Sequence, residues 1–445
     1  MAAAFSSRAL LLRALDALNS DRLAEAETAC RHALRDLSAG DEACDLLAAV
    51  AQRRGDLSTA IGWMRCAIVA DETVAQYSLN LGRLLRQAGR LGEADGAVRH
   101  ALALQPGHLE ALRCLAEIAV ERGRTDDALA LYRRAVAHYP GDGALRAALG
   151  QLLLGRGDFV AGWQEYRHRP RTIRAPGTPA LGAPWQGEAP AGERLLIYAE
   201  QGYGDTIQFC RWLRFFEDAQ PPVILRIPAA LRRLLAESMP WLIVEEDIAP
   251  VGPHDRHCSV MDLPALLAAG PAAPPVRPPY LAPRPAAVAA WRSRLGGGPR
   301  IGLAWAGDPR HVNDAARSLP ADLLAGFLGR AGVGFVSLQV GGRAAEAARL
   351  DPAIRDLSPL LTDFAETAAA IAALDLVVTV DTAVAHLVGA LARPGFVLLP
   401  CPADWRWLEE GADTPWYPTL RLFRQAAPGD WRAPIDELVA ALPRP

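Results

Sequence analysis

The sequence predicts an α/β protein preceded by an all-α N-terminal solenoid. Three observations carry that expectation. Small and apolar residues recur at a 34-residue offset through the first third of the 445-residue chain. Short apolar runs then alternate with helical stretches, as in a parallel sheet covered by helices. The alternation halts in "GPAAPPVRPPYLAPRP" (270–285), too proline-rich for either element, and then restarts.

The repeats come first. Ala26, Ala60, Ala94, Ala128 and Gly162 share one column, and Ala33, Ala67, Ala101 and Ala135 share another seven residues later. Gly55, Gly89, Gly123 and Gly157 stand five residues before the first column, with Asp21 in that place in the earliest copy. Leu47, Leu81, Leu115 and Leu149 make a fourth column, and Pro106 and Pro140 close two copies. Two antiparallel helices joined by a glycine-permitted turn explain this pattern. Small residues seven apart share one helix face and admit a close neighbour. Proline then stops the second helix. Period and pattern resemble the tetratricopeptide repeat over roughly residues 8–168. Stacked hairpins leave a concave groove of the kind that usually binds a peptide or a protein partner; self-association or packing on the next domain is the alternative. The last copy breaks off after "GDFVAGWQEYRHR" (157–169) into a proline- and glycine-rich linker.

Beyond it, "RLLIYA" (194–199) reads as a strand, "EQGYGD" (200–205) as a turn and "TIQFCRWLRFF" as a helix. "PVILRI" (222–227), "PAALRRLLAES" and "WLIVEE" (241–246) continue strand, helix, strand. After the proline-rich join come the strands "RIGLAWAG" (300–307), "GVGFVSLQ" (332–339), "LDLVVTV" (374–380) and "GFVLLP" (395–400), with helices such as "DFAETAAAIAAL" between them. Two doubly wound units in succession make a bilobal region, and ligands of such folds bind at the carboxyl ends of the strands.

Composition narrows the chemistry. At 51% hydrophobic and 22% charged residues the chain is globular. A net charge of −3 gives no cationic field for nucleic acid or anionic lipid. The chain has no lysine, so all 47 cationic residues are arginine. This excludes a Schiff-base lysine, a pyridoxal-phosphate lysine and a Walker-type loop. Seven cysteines at scattered positions form no C-x-x-C pair, and reduced thiols in a cytoplasm are expected. Arg8, Arg13 and Asp16 interrupt any signal-peptide core, and no run reaches the ~20 apolar residues of a spanning helix.

The stretch "DLVVTVDTAVAHLVGALARP" (375–394) concentrates the candidate chemistry. A strand ends at Asp381 and Thr382, and a helix begins. Either side chain suits a helix cap. The helix start is also a seat for phosphate, with His386 one turn further on. A capping aspartate with a core histidine accounts for the same spacing. In "GPHDRHCSV", His254, His257 and Cys258 lack a second ligand pair at zinc-like spacing. Trp405, Trp407 and Trp416, near the second lobe's cleft, read first as core anchors, with the lining of a base or sugar pocket as the alternative. Gly202 and Gly204 lack the third glycine of a dinucleotide fingerprint.

The ordered series "AEQGYGDTIQFCRWL", "IGLAWAGDPRHVNDAARSLP", "DFAETAAAIAALDLVVTVDTAVAHLVGALARP" and "DWRWLEEGADTPWYPTLRLFRQ" resembles bacterial tetratricopeptide-coupled glycosyltransferases. Their catalytic part is similar to the heptosyltransferases, whose GT-B fold has two Rossmann-like lobes. The resemblance spans almost the whole chain. It implies a general base at Asp205, in the loop Gln201, Gly202, Gly204 on the acceptor side, although a carboxylate there also suits a helix cap. It implies donor-diphosphate binding at Asp381, Thr382, Ala383 and His386, with Ala383 in place of the glycine expected. Arg317 falls where a phosphate-contacting lysine is usual; its alternative is a solvated loop arginine.

The implied organisation is a solenoid over 1–168, a linker over 169–192, an acceptor-side lobe over 193–285 and a nucleotide-sugar lobe over 286–445. The implied reaction is inverting transfer from a nucleotide sugar to a protein acceptor held by the repeats. It needs no metal and no other cofactor. Flagellin is the acceptor that analogy suggests. A glycan or lipid-linked acceptor, or a non-catalytic scaffold with a degenerate transferase region, are the alternatives. Sugar, nucleotide and oligomeric state stay open.

Overall fold

The computed structural model describes residues 7–35, 39–171, 182–188, 192–247, 252–267, 277–311, 313–324, 328, 333–351 and 353–442. Much of the expected 169–192 linker, and the first part of the 270–285 join, lie outside the described residues. By packing, the chain divides into two units, Met1–Leu152 and Leu153–Pro445.

Helical hairpins fill the first unit: α1 (Ser7–Asn19) with α2 (Leu23–Ala33), α3 (Gly40–Arg53) with α4 (Leu57–Ala70), α5 (Ala75–Gln87) with α6 (Leu91–Leu104), and α7 (Leu109–Glu121) with α8 (Thr125–His138). The repeat columns explain them. Asp21, Gly55, Gly89 and Gly123 sit in the turn inside each hairpin, all with φ between 57° and 80°. This left-handed region favours glycine, and aspartate tolerates it better than most residues. The two alanine columns are buried in the second helix of each hairpin, where a larger side chain would hold the helices apart. Helix α9 (Gly143–Gly155) crosses the division, and α10 (Phe159–Tyr166) belongs to the second unit.

Helix α10 is shorter than the other second helices because aromatic packing takes over from repeat packing. Trp163 meets Phe209, Trp212, Trp405 and Trp416 edge-on, with ring centroids 5.5–6.4 Å apart. Trp405 and Trp416 are therefore core anchors, as expected, and Trp407 is buried as well. Just beyond α10, buried Arg169 donates to Glu200 at 3.0 Å and to Asp262 at 2.8 Å.

Two parallel sheets make up the rest. One has the order β1-β5-β2-β3-β4, from β1 (Ala183–Pro184), β2 (Leu195–Tyr198), β3 (Ile224–Ile227), β4 (Ile243–Glu246) and β5 (Arg256–Ser259). The other has the order β11-β10-β9-β6-β7-β8, from β6 (Arg300–Ala304), β7 (Gly334–Ser337), β8 (Arg355–Asp356), β9 (Leu376–Val380), β10 (Gly395–Leu399) and β11 (Leu420–Arg424). The expected strands are all present. Four others were not anticipated: β1 and β8 have two residues each, β11 carries two arginines in its five residues, and β5 has no apolar run. Strand β5 carries Arg256 and His257 into a sheet interior, so the His257–Cys258 pair is strand sequence.

Arginines join the two sheet regions. Arg233, on the helix Ala229–Ser238, forks onto Asp363 with both bonds at 2.7 Å. Arg211 is wholly buried, donates to the Trp416 carbonyl at 3.2 Å and the Tyr280 hydroxyl at 3.1 Å, and lies over the rings of Tyr280 and Tyr417.

Candidate functional site

The site forms where β2 and β9 end. After β2, Gln201 takes a left-handed backbone with φ of 62° and donates from its amide to the Tyr166 hydroxyl at 3.2 Å. Non-glycine residues held there cost about 1–3 kcal/mol and cluster at functional positions. The following helix runs Tyr203–Phe209 and continues as a 3-10 turn over Cys210–Phe216. It begins earlier than the sequence implied, because the Asp205 carboxylate reaches back to accept from the Gly202 N–H at 2.7 Å. That bond satisfies a donor the helix start would leave open. Gly204 and Asp205 thus lie in the first turn of a helix and not in the loop before it.

After β9, Thr382 is the cap position of the helix Ala383–Ala390, but its side chain makes no capping bond. Its hydroxyl turns toward that of Thr379, 3.4 Å away. Asp381, one residue earlier, does not cap either. The expected side-chain cap is therefore absent, and no side-chain acceptor from the cap residue takes up the first N–H groups.

The two helix starts meet. A β-carbon added to Gly204 would lie 2.7 Å from His386 Cδ2 and 3.5 Å from Ala383 Cα. Only glycine allows this approach, and His386 has no room to retreat. Its Nδ1 is 3.0 Å from the Tyr417 hydroxyl, and its ring stacks on Trp407 at 5.2 Å. Gly204→Ala is therefore expected to cost about 1–3 kcal/mol of stability through overpacking. Thermal unfolding followed by tryptophan fluorescence measures it, and an unchanged midpoint would refute the contact.

Burial pushes the His386 imidazole well below its usual range, and the nearby charges of Arg406, Arg211 and Arg317 push the same way. His386 is thus a neutral hydrogen-bonding group and supplies no positive charge. Burial raises the Asp381 carboxyl to about 6, and the Asp404 charge adds to it; the Trp407 indole, Arg317 and Arg406 pull the other way. A carboxyl that titrates higher in the folded than in the unfolded state favours folding at low pH, and that benefit is lost as pH rises through about 6. Asp381→Asn should match the parent protein in stability near pH 4 and exceed it at pH 7–8. Paired melting curves across that window check the sign.

Arg317 ends the short helix Asp314–Arg317 and pairs with Asp314 at 3.4 Å. It lies beneath Gly307, where an added β-carbon would stand 2.5 Å from its Nη2. Its charge acts on Asp381, His386 and His311. It is a half-buried member of the site and not a solvated loop arginine.

Two residues escaped the sequence reading. Arg406 is 8% exposed and hydrogen-bonds both Asp205 and Asp404, the latter at 2.9 Å. It also lies over the Trp405 ring at 4.2 Å. His311 is near enough to feel the charges of Asp205, Asp404 and Arg317. The signal for Arg406 was available: a single arginine between tryptophans in "DWRW", in the loop that follows β10 at its carboxyl end. Asp205, Arg406, Arg317 and Asp381 thus gather around two opposed helix starts.

The first part of the chain carries tetratricopeptide repeats. The model of that repeat family matches residues 79–143 and 115–167, and a region of parallel α/β sheets follows it. Protein FlbA of Caulobacter vibrioides is similar to this chain, with 29% identity over 423 residues covering 86% of this chain and 70% of that protein. Among solved structures, MamA is 18% identical with a TM-score of 0.33, covering 36% of this chain and 88% of its own. Pseudomonas aeruginosa PilF is also 18% identical, with a TM-score of 0.34, covering 38% and 78%. Among the described residues, no helix is long and apolar enough to cross a membrane.

Proposed function

We propose that the α/β region is a GT-B glycosyltransferase, with two Rossmann-like lobes, that moves a sugar from a nucleotide-sugar donor onto a protein recruited by the repeats. The observation that carries this reading is the apposition of the Asp205 helix start to the uncapped helix start at Thr382–Ala383. An acceptor hydroxyl gives its proton to the Asp205 carboxylate as its oxygen attacks the anomeric carbon. The bond from that carbon to the diphosphate breaks on the opposite face, and the configuration inverts. The nucleoside diphosphate leaves with the electron pair. Backbone N–H groups after Thr382, with Arg317 and Arg406, are suited to receive its charge. Arginine forks around phosphate oxygens, so the role does not need lysine or a bound metal.

The second reading is a non-catalytic scaffold. One observation favours it: both Asp205 oxygens are engaged, one by the Gly202 N–H and the other by Arg406. On the catalytic reading, Arg406 must exchange Asp205 for the donor's diphosphate before transfer.

The test is a mass-spectrometric screen of nucleotide sugars with the purified protein and candidate acceptors, flagellin first, repeated after deletion of residues 1–152. That cut keeps α10 with the aromatic cluster it packs in. The expected result is donor binding in both forms and protein transfer in the full chain alone. Transfer that survives the deletion would point to a glycan acceptor, and no turnover of any donor would leave the scaffold. A cytoplasmic site of action fits the free thiols of all seven cysteines.

A further inference from the structure

A second feature lies in the first unit. Helices α3, α4 and α5 enclose an open cavity of about 190 Å³. Ala48, Met64 and Leu84 supply apolar walls, and Asp45, Gln52 and Asn80 supply polar ones. The volume suits one long side chain and no more.

The charges around it are unevenly satisfied. Arg83 also borders the cavity, but its guanidinium is bound to Glu110 on α7. Arg86 is taken by Glu117 and Glu121. On α3 the situation is reversed. Asp45 is half-buried and, among the described residues, accepts only from the Asn80 amide, at 3.0 Å. Asp41, one turn away, accepts from the Tyr77 hydroxyl at 2.8 Å. Among the described residues neither carboxylate has an arginine partner, in a unit whose other carboxylates are so often paired with one. Burial accordingly holds the Asp45 carboxyl above its ordinary range, and Asp41 adds to this while Asn80 opposes it.

We propose that this cavity binds a cationic side chain, arginine or lysine, presented by the protein that the repeats recruit. The aliphatic stem lies along Ala48, Met64 and Leu84, and the charged end reaches Asp45. Stem burial and a charge-assisted hydrogen bond act together in such a site. Asn80 orients the carboxylate, and Gln52, held by Gln87 at 2.8 Å, offers a neutral amide at the rim. This deepens the partner-recruiting reading and rests on it.

The chain has only four methionines, of which Met64 alone belongs to the repeats. Methyl-labelled methionine NMR of the full chain therefore gives a reporter inside the cavity. The probe is n-butylguanidinium, and the neutral control is n-butylurea, which has the same shape. The expected result is a saturable shift of the Met64 methyl with butylguanidinium, at least 10-fold tighter than with butylurea. Asp45→Asn should abolish the difference, while the helical signal and melting of the full chain by far-ultraviolet circular dichroism stay in place and report intact repeats. An unmoved Met64 methyl, equal response to both compounds, or a preference that survives Asp45→Asn would each overturn the proposal. Such a failure, beside protein transfer that still depends on residues 1–152, would sink the cavity and leave recruitment standing. Loss of that dependence would sink recruitment itself.

Discussion

Asp205→Asn is expected to lower transfer by about 10²–10⁴-fold, the range a positioned general base contributes. The change is small in shape. Asparagine keeps one oxygen to accept from the Gly202 N–H or from Arg406, so at least one of the two observed bonds is retained. It removes the group that takes the proton. Stability and rate should therefore separate: a melting midpoint shifted by a few degrees at most, and transfer nearly lost. The scaffold reading expects a different pairing, since a carboxylate that only caps a helix and holds Arg406 changes stability and nothing else. Arg406→Leu completes the comparison. It leaves Asp205 and Asp404 without their shared cation and weakens donor binding if Arg406 receives the diphosphate. Titration of a nucleoside diphosphate against both variants decides the matter. Asp205→Asn, which frees Arg406 from a competing carboxylate, should bind it at least as tightly as the parent does, and Arg406→Leu should bind it at least 10-fold more weakly. Equal binding by all three proteins would remove Arg406 from the site.

Arg169→Met is expected to destabilise the second unit by about 3–5 kcal/mol, the cost of removing one partner from a buried ion pair. The side chains of Arg169, Glu200 and Asp262 are 3%, 1% and 3% exposed. Without the guanidinium, Asp262 still has Arg171 at 3.1 Å, whereas Glu200 loses the partner that binds both of its oxygens. Glu200 then bears most of the penalty. The double change Arg169→Met with Glu200→Gln should recover much of it, because the residual group is neutral. Ten of the eleven tryptophans follow Leu152, so fluorescence unfolding in urea reports this unit almost alone. A loss below about 1 kcal/mol in the single variant would mean that the triad is not a structural requirement.

The repeats were legible because a hairpin repeated several times writes the same demand into the sequence each time. Gly55, Gly89 and Gly123 stand in register because each must turn left-handed. The parallel strands were legible where they are fully buried, as Leu195–Tyr198 and Leu376–Val380 are. Strand β5 was not, since "RHCS" lacks an apolar run and owes its place to its neighbours β1 and β2. The positions of Asp205, Thr382 and Ala383 were legible as places where strand gives way to helix. What they touch was not. The approach of Gly204 to His386 joins residues far apart in the chain, and nothing local to either announces it. Arg406 was missed for the same reason: its importance lies in the carboxylate it reaches, which is 201 positions away.

Arg233, Arg211 and Arg406 each span the two sheet regions, at the periphery, in the buried middle and at the site. Arg211 acts as a rivet. A clamshell swing of one region against the other would tear its guanidinium from the Trp416 carbonyl and the Tyr280 hydroxyl. On the catalytic reading, substrate exchange should therefore proceed by small excursions of the segments around Gln201 and Arg406, with the two halves moving as one piece.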